Sequence, residues 1–369
     1  MTLGDGIRRN IAKVTPGERE LLRKAFIALH TNGEFHYPGK RGDKPFPGGV
    51  SYWFKQDEIH QATHVHGGPA FLPWHRELCN RFEKLLRRYD ERLSLHYWDW
   101  NTDPDATPDE RGIPVKLFTD DFMGNADGDI NEGYAGEPWL GANFYDPNPK
   151  GDRYRGVDPF DLAHSNPFDP PIELKRNKPP GTLEAFAKDN DQSFFSDHNI
   201  IGSCTFSEMR KKLEHVHNLA HGYIGGTIGD PHTSFRDPFV FLLHSNVDRI
   251  FTAWQLRPGF EWRLDPKYIY GLESTSVAMG THPHISVGIT TFLSPWAGVG
   301  DPRAEPGVKD VRPWASPDNW HRQPKLYPDE KIKDSTDPSV VKPRLYDEPQ
   351  IDTKLFNLCE SFTKNLEAI

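Results

Sequence analysis

Two histidines, nine residues apart where a loop passes into a helix, constrain the fold of this chain more than any other feature. The stretch reads His66-Gly-Gly-Pro-Ala-Phe-Leu-Pro-Trp-His75-Arg-Glu. Pro73 suits a first helical turn, because its fixed φ is helical and the N–H that it lacks has no partner there. Apolar residues then recur at positions 78, 79, 82, 85 and 86, so His75 lies on the buried face of an amphipathic helix. A buried imidazole needs a partner, either a metal ion or a hydrogen bond in the core.

Helical periodicity in other parts of the chain predicts a mainly α fold. The tetrapeptide Thr15-Pro-Gly-Glu18 has the pattern of a capping box, and Ser51 and Ser207 stand where caps would open two more helices. The expected helices cover residues 16–31, 52–63, 73–89, 208–223 and 238–256, with a short one at 181–188.

Proline and glycine mark the irregular parts of the chain. Residues 33–50 and 101–200 contain many of both, which predicts long irregular loops. Residues 257–369 contain 13 prolines and little helical periodicity. We therefore expect a core domain formed by residues 1–256 and a Pro-rich C-terminal extension, 257–369, that is wrapped on it.

The composition excludes several classes of function. A net charge of −9, with no basic run beside stacking aromatics, argues against a nucleic-acid partner. No stretch approaches the ~20 apolar residues of a membrane span, and the N-terminus shows no signal-peptide pattern. Three scattered cysteines are too few for a disulfide framework. A cytoplasmic location is the default expectation, and export in the company of a partner protein stays open.

Three further histidines fall on buried helical faces. His217 and His221 are four residues apart, so they are neighbours on one face, which Leu213, Val216 and Ala220 border. Glu214 belongs to the same face, whereas His215 points away from it. In the next helix, His244 shares the apolar face of positions 247, 251 and 254. Five buried histidines in three segments favour a metal site over independent core residues.

The type of ligand limits the metal. Sites made only of imidazoles suit copper, zinc, iron or nickel. The His-Val-His triplets at 64–66 and 215–217 raise the alternative of a zinc hydrolase, although such triplets are typical of strands and these border helices. Glu214-x-x-His217 and Asp57-x-x-His60 raise that of a di-iron protein, but the two further carboxylates of such a site are missing.

At this point the motifs resemble a known family. The stretch from His66 to His75 resembles the first copper motif of the tyrosinase family of type 3 copper proteins. His217-Asn-Leu-Ala-His221, followed by Asp237-Pro-Phe-Val-Phe-Leu-Leu-His244, resembles the second. The resemblance covers about residues 15–256. It implies a four-helix bundle that holds a dicopper centre, with three histidines on each copper and O2 bound between the metals.

Carried over residue by residue, the resemblance assigns the ligands of both coppers. The six expected metal ligands are His60, His66 and His75 for the first copper and His217, His221 and His244 for the second. For the first ligand of the first copper, His64, His36 and His30 are alternatives to His60. His64 also stands where relatives often carry a thioether-linked Cys, so that bond is not expected here.

The resemblance implies a polyphenol oxidase that uses O2 to convert o-diphenols into o-quinones and that also hydroxylates monophenols. Glu214 and Asn218 match the residues that hold a water beside the site and would help to remove a phenolic proton. The expected partners are small phenolic substrates, and the oligomeric state stays open. The alternatives are a catechol oxidase without monophenolase activity and a haemocyanin-like O2-binding protein.

Overall fold

The structure is a computed structural model in which helices form the core. It describes residues 3–35, 39–41, 44–46, 52–53, 56, 60, 66–68, 71–124, 127–129, 174–231, 234–264, 277–279, 286–288 and 344–347. The α-helices are α1 (Pro16–Thr31), α2 (Phe71–Tyr89), α3 (Leu183–Asp189), α4 (Asp197–Ile201), α5 (Phe206–Ile224), α6 (Gly226–Gly229) and α7 (Phe239–Gln255). Residues 52, 53, 56 and 60 are also helical. The mainly α fold expected from the sequence is confirmed.

Local capping explains where α1 and α5 begin. The Thr15 side chain accepts a hydrogen bond from Glu18 N at the start of α1, with proline in the first turn, as its sequence predicts. The start of α5 differs from the prediction: Thr205, not Ser207, is the N-cap, and its side chain accepts from Glu208 N. The short helix expected at 181–188 is present as α3.

The apolar faces of α2 and α7 meet at the centre of the bundle. Helix α7 is buried along almost its whole length, and α2 packs against both α1 and α7, while α5 packs against α7. The rings of Phe82 on α2 and Phe241 on α7 stack with centroids 3.6 Å apart, and Trp53 packs edge-on against both. Burying side chains of this size stabilises a fold by about 1.5–3 kcal/mol each.

The strands in the described part of the chain form short antiparallel pairs. The pairs are β1 (Gly39–Arg41) with β2 (Lys44–Phe46), β3 (Thr107–Pro108) with β4 (Pro114–Val115), β5 (Asp127–Asp129) with β6 (Lys175–Asn177), and β7 (Val277–Met279) with β8 (Ser286–Gly288). Strand β6 runs close to the end of α5, where a Cβ on Gly225 would lie 1.8 Å from Asn177 Oδ1. Gly225 also has a φ of +67°, so this crossing requires glycine.

The two described cysteines differ in state. Cys79 is a buried free thiol on α2, whose pKa burial raises well above its ordinary value. Cys204 is disulfide-bonded, which the sequence did not lead us to expect. The third cysteine, Cys359, lies outside the described residues, as does most of the extension predicted at 257–369. Among the described helices, none is long and apolar enough to cross a membrane.

Candidate metal centre

Helix α2 places His75 in the interior. Its side chain is 1% exposed, and its Nδ1–H donates to Phe71 O, one turn earlier, over 2.8 Å. Nε2 therefore carries the lone pair, and no described group hydrogen-bonds to it. A buried nitrogen with an unused lone pair costs free energy unless a cation or a donor meets it.

His60 and His66 complete a first group of three with His75, which we name the first triad. One ring nitrogen of each lies within 4.8 Å of one of each of the others, close enough to hold one metal ion. The ring centroids are 5.2–5.7 Å apart. His60 is itself helical, and His66 precedes α2. Gly67, directly after His66, has a φ of +69°, which lets the loop turn there.

His217, His221 and His244 form a second group of three, which we name the second triad. Helix α5 supplies the first two on one face, and α7 supplies the third. His217 Nε2 lies 3.0 Å from His221 Nε2 and 3.1 Å from His244 Nε2. The predicted pairing of an i, i+4 histidine face with the next helix is present.

The hydrogen bonds of the second triad fix its tautomers. The Nδ1–H groups donate to oxygen in all three cases: His217 to Asn218 Oδ1, His221 to Ile228 O and His244 to Val240 O, each over 2.8–2.9 Å. Each Nε2 is then an acceptor without a proton. Three lone pairs that converge to about 3 Å repel one another unless a cation lies between them. The donor set therefore fits a metal ion that prefers imidazole nitrogen.

The surroundings keep these imidazoles neutral. Burial, and after it the neighbouring imidazoles, lowers the pKa of His75, His217 and His244 well below the ordinary 6.5. Burial lowers the pKa of His221 to about 4. Neutral imidazole is the form that binds a metal, so the site is ready for one at neutral pH.

The two triads lie against each other. The His75 and His244 rings stack with their centroids 4.9 Å apart, and the centroids of the His66 and His217 rings are 5.7 Å apart. Each triad thus faces the other, and a small molecule held between them would touch both. Two adjacent groups of three neutral nitrogens are the arrangement expected of a paired metal centre.

Phenylalanine rings line the centre, and sequence reasoning did not find them. The Phe235 ring lies 4.3 Å from His60 and 4.9 Å from His244, so it bridges the triads. The Phe71 ring lies 4.6 Å from His75 and 4.9 Å from His217. Phe235 stands in a short 3-10 helix, Ser234–Arg236, where no apolar periodicity marks it.

Glu214 and Asn218 both lie beside the second triad. Glu214 is 7% exposed; Gly67 N donates to its Oε1, and Arg210 Nη1 lies 3.4 Å from its Oε2. Burial is the largest influence on Glu214 and raises its pKa, against the hydrogen bond from Gly67 and the charge of Arg210. Asn218 is exposed and fixes His217 through the contact given above. Arg210, one turn before Glu214, was missed, although its i, i+4 spacing is a recognisable signal.

Asp248 stands one turn after His244 and next to Arg249, so the sequence predicts that it accepts from the His244 ring or pairs with Arg249. The structure gives it other partners. The acceptor of His244 is instead Val240 O, and Arg249 pairs with Asp197. Asp248 instead forms buried ion pairs with Arg8 and Arg76.

The rival histidines occupy other places. His30 is buried at the end of α1 and belongs to neither triad. His215, half-buried on α5, donates from Nε2 to Ser193 O over 2.7 Å and belongs to neither triad. His64 and His36 lie outside the described residues.

Comparison with known proteins shows which family the chain resembles over most of its core. The family model of the common central domain of tyrosinase matches residues 25–257. The tyrosinase-like protein tyr-3 of Caenorhabditis elegans is 25% identical over 262 residues, which are 69% of this chain and 31% of that protein. Hemocyanin 2 of Megathura crenulata is 29% identical over 262 residues, which are 69% of this chain and 6% of that protein. The chain thus spans a third or less of the length of these two relatives.

A solved structure supports the fold. Recombinant mushroom tyrosinase aligns with a TM-score of 0.50 and 17% identity, over 95% of this chain and 62% of that one. At this identity the likeness shows the fold alone.

Proposed function

The chain belongs to the tyrosinase family, and from that premise we propose that it is a copper oxidoreductase that uses O2 to oxidise o-diphenols to o-quinones and to hydroxylate monophenols. The observation that carries the proposal is the convergence of imidazole Nε2 atoms whose protons sit on the opposite nitrogen. In this proposal the first triad and the second triad each hold one copper ion.

Copper bound there would supply the electron transfer to O2, while the protein supplies geometry, a dry pocket and proton handling. The buried Phe71 and Phe235 rings pack against the imidazoles and would keep water away from them on that side. His66 and His221 are partly exposed, and Gly67, Asn218 and Gly222 are more exposed still. A phenol would therefore approach between the His66 loop and α5.

Glu214 is the proposed proton acceptor. A monophenol has a pKa of about 10, so its proton must leave as its oxygen approaches the metal. A carboxylate whose pKa is raised by burial is a stronger base than an exposed one. Glu214 lies where the His66 loop meets α5. Gly67 N donates to its Oε1 and Arg210 lies beside its Oε2, and these two contacts fix the orientation of the carboxylate. Asn218 is the proposed second residue, because it holds the His217 ring.

Two alternatives share the same metal site. A catechol oxidase would oxidise o-diphenols without hydroxylating monophenols, and a haemocyanin-like protein would bind O2 without turnover. The similarity to a haemocyanin motivates the second. Turnover of a catechol and of tyramine by the copper-loaded protein separates all three.

The experiment that tests the proposal compares His217→Ala with His215→Ala on the same helix. Copper content is measured by mass spectrometry after loading, and catechol oxidation by absorbance. We expect two copper ions per wild-type chain and per His215→Ala chain, because His215 contacts Ser193 instead of the triads. His217→Ala should retain about one and lose at least 100-fold in turnover, on the order of 3 kcal/mol. Equal copper content in both variants would refute the assignment, and a wild type that binds no copper would refute the function.

A further inference from the structure

Four residues of the C-terminal part, 344–347, lie against the N-terminus, and we name them the clasp. Arg8 N donates to Leu345 O over 2.9 Å, and Asp347 N donates to Arg8 O over 3.2 Å. These bonds make a parallel bridge between Arg8 and Tyr346. Asn10 bridges in parallel to Tyr97. The N-terminal segment therefore runs between the clasp and the segment around residue 97.

Side chains anchor the clasp at both of its ends. The Asp347 carboxylate accepts from Tyr97 OH over 2.9 Å and from Asn10 N over 3.3 Å. Arg344 forms an ion pair with Glu83 on α2. The clasp is thus fixed by both backbone and side-chain bonds, more than 80 residues beyond the end of α7.

Tyr346 reaches from the clasp into a buried ion-pair group. Its hydroxyl donates to Asp248 Oδ2 over 2.8 Å, and Arg8 Nη1 donates to the hydroxyl over 3.0 Å. Ser245 O lies 3.1 Å from the same hydroxyl. A hydroxyl has one proton, and the Asp248 carboxylate is a stronger acceptor than the Ser245 carbonyl.

Asp248 in turn joins the two helices that carry one ligand of each triad. It lies on α7, one turn after His244, and its Oδ1 pairs with Arg76, the residue after His75 on α2. Both side chains are buried, as is Arg8, which pairs with Oδ2 over 3.0 Å. This carboxylate therefore links α2 to α7 at residues adjacent to His75 and one turn from His244.

We propose that Tyr346 is a positioning residue for the metal centre, which it acts on through Asp248 and Arg76. The inference rests on the proposed binding of copper. Without the Tyr346 hydroxyl, Asp248 loses one of its fixed partners, and α2 and α7 hold His75 and His244 less firmly. The prediction is that copper leaves faster although all six histidines are intact. On this proposal the clasp contributes to the function of the core domain, although its residues lie outside 1–256.

The test compares Tyr346→Phe with Tyr89→Phe in the full-length protein. Tyr89 is 37% exposed at the end of α2, so its variant controls for loss of a hydroxyl. Copper release to a chelator is followed at a temperature well below unfolding, and circular dichroism checks the fold. We expect release to be about tenfold faster from Tyr346→Phe, the effect of losing one charged hydrogen bond, and unchanged from Tyr89→Phe. Equal rates for Tyr346→Phe and the wild type overturn the inference.

A second arm asks whether the effect passes through Asp248. In an Asp248→Asn background, Tyr346→Phe should change the release rate by less than twofold, because the acceptor is already altered. A full tenfold change there would show that Tyr346 acts by another route. Hydrogen exchange of the copper-free protein gives an independent measure: the peptide that contains 344–347 should be protected in the wild type and less so in Tyr346→Phe. If the wild type binds no copper, the proposed function fails, whereas the exchange result still reports on the clasp.

Discussion

Glu83 should make the stability of the folded protein depend strongly on pH. This carboxylate lies on α2 with 2% of its side chain exposed, and it pairs with Arg8 over 2.7 Å and with Arg87 over 3.2 Å. Burial acts to raise its pKa, but Arg8, Arg344 and Arg87 together lower it from 4.5 to about 2. Because the folded pKa lies below the unfolded one, the stabilisation is fully present above about pH 4.5. It is lost as the pH falls towards 2.

The size of the effect follows from that difference in pKa. A shift of roughly 2.5 units corresponds to about 3 kcal/mol of stability at neutral pH, at 1.36 kcal/mol per unit. By linkage, about 2 kcal/mol of it is gone at pH 3.

Urea unfolding of the metal-free protein, followed by tryptophan fluorescence at pH 6 and pH 3, measures this contribution. Glu83→Gln should be less stable than the wild type at pH 6, and the loss between pH 6 and pH 3 should be smaller by about 2 kcal/mol. Glu184→Gln, at an exposed position on α3, is the matched control and should follow the wild type. If Glu83→Gln lost as much stability between the two pH values as the wild type, the reasoning would be refuted.

Two other variants test the core and the crossing at the end of α5. Phe82→Ala removes the ring stacked on Phe241 and should lower the free energy of unfolding by about 3–5 kcal/mol, measured by urea unfolding. A loss below 1 kcal/mol would mean that the two helices do not depend on this contact. Gly225→Ala should be strongly destabilising, since its Cβ would meet Asn177 at a positive φ. Gly17→Ala, with open space around it in α1, should leave the melting temperature unchanged or raise it.

The local patterns of the sequence predicted most of the helices. Apolar residues at helical spacing gave α2, α5 and α7 to within a few residues, and Thr15 gave the start of α1. Helix ends were less accurate, because Thr205 and Ser207 are both good caps and a pattern cannot decide which of them accepts from the backbone. The mainly α fold could be predicted because a helix is determined by the spacing of apolar residues over a few consecutive turns.

Part of the metal centre was predictable for the same reason. The spacing of His217 and His221 places both on one face of α5, whatever the rest of the chain does. His60 had no such signal. It was placed through the family resemblance, and the structure brings it to His66 and His75. The roles of all six histidines, of Glu214 and of Asn218 remain predictions that the experiments above test.

Asp248 shows what the sequence could not decide. The sequence offered Arg249 as a partner, but adjacent residues on a helix point in directions about 100° apart. The real partners are Arg8, Arg76 and Tyr346, which lie on other segments.

The sequence by itself determined which faces are apolar, which histidines share a face and which chemistry such a set of ligands suits. The tertiary structure alone decided that the N-terminus and the clasp meet and contact α2 and α7, that Phe235 contacts a histidine of each triad and that Gly67 N donates to Glu214. The physical reason is range. Helical periodicity depends on residues three or four apart in the sequence. The hydrogen bond from Tyr346 to Asp248 joins residues 98 apart, so it forms only when the helices have packed together.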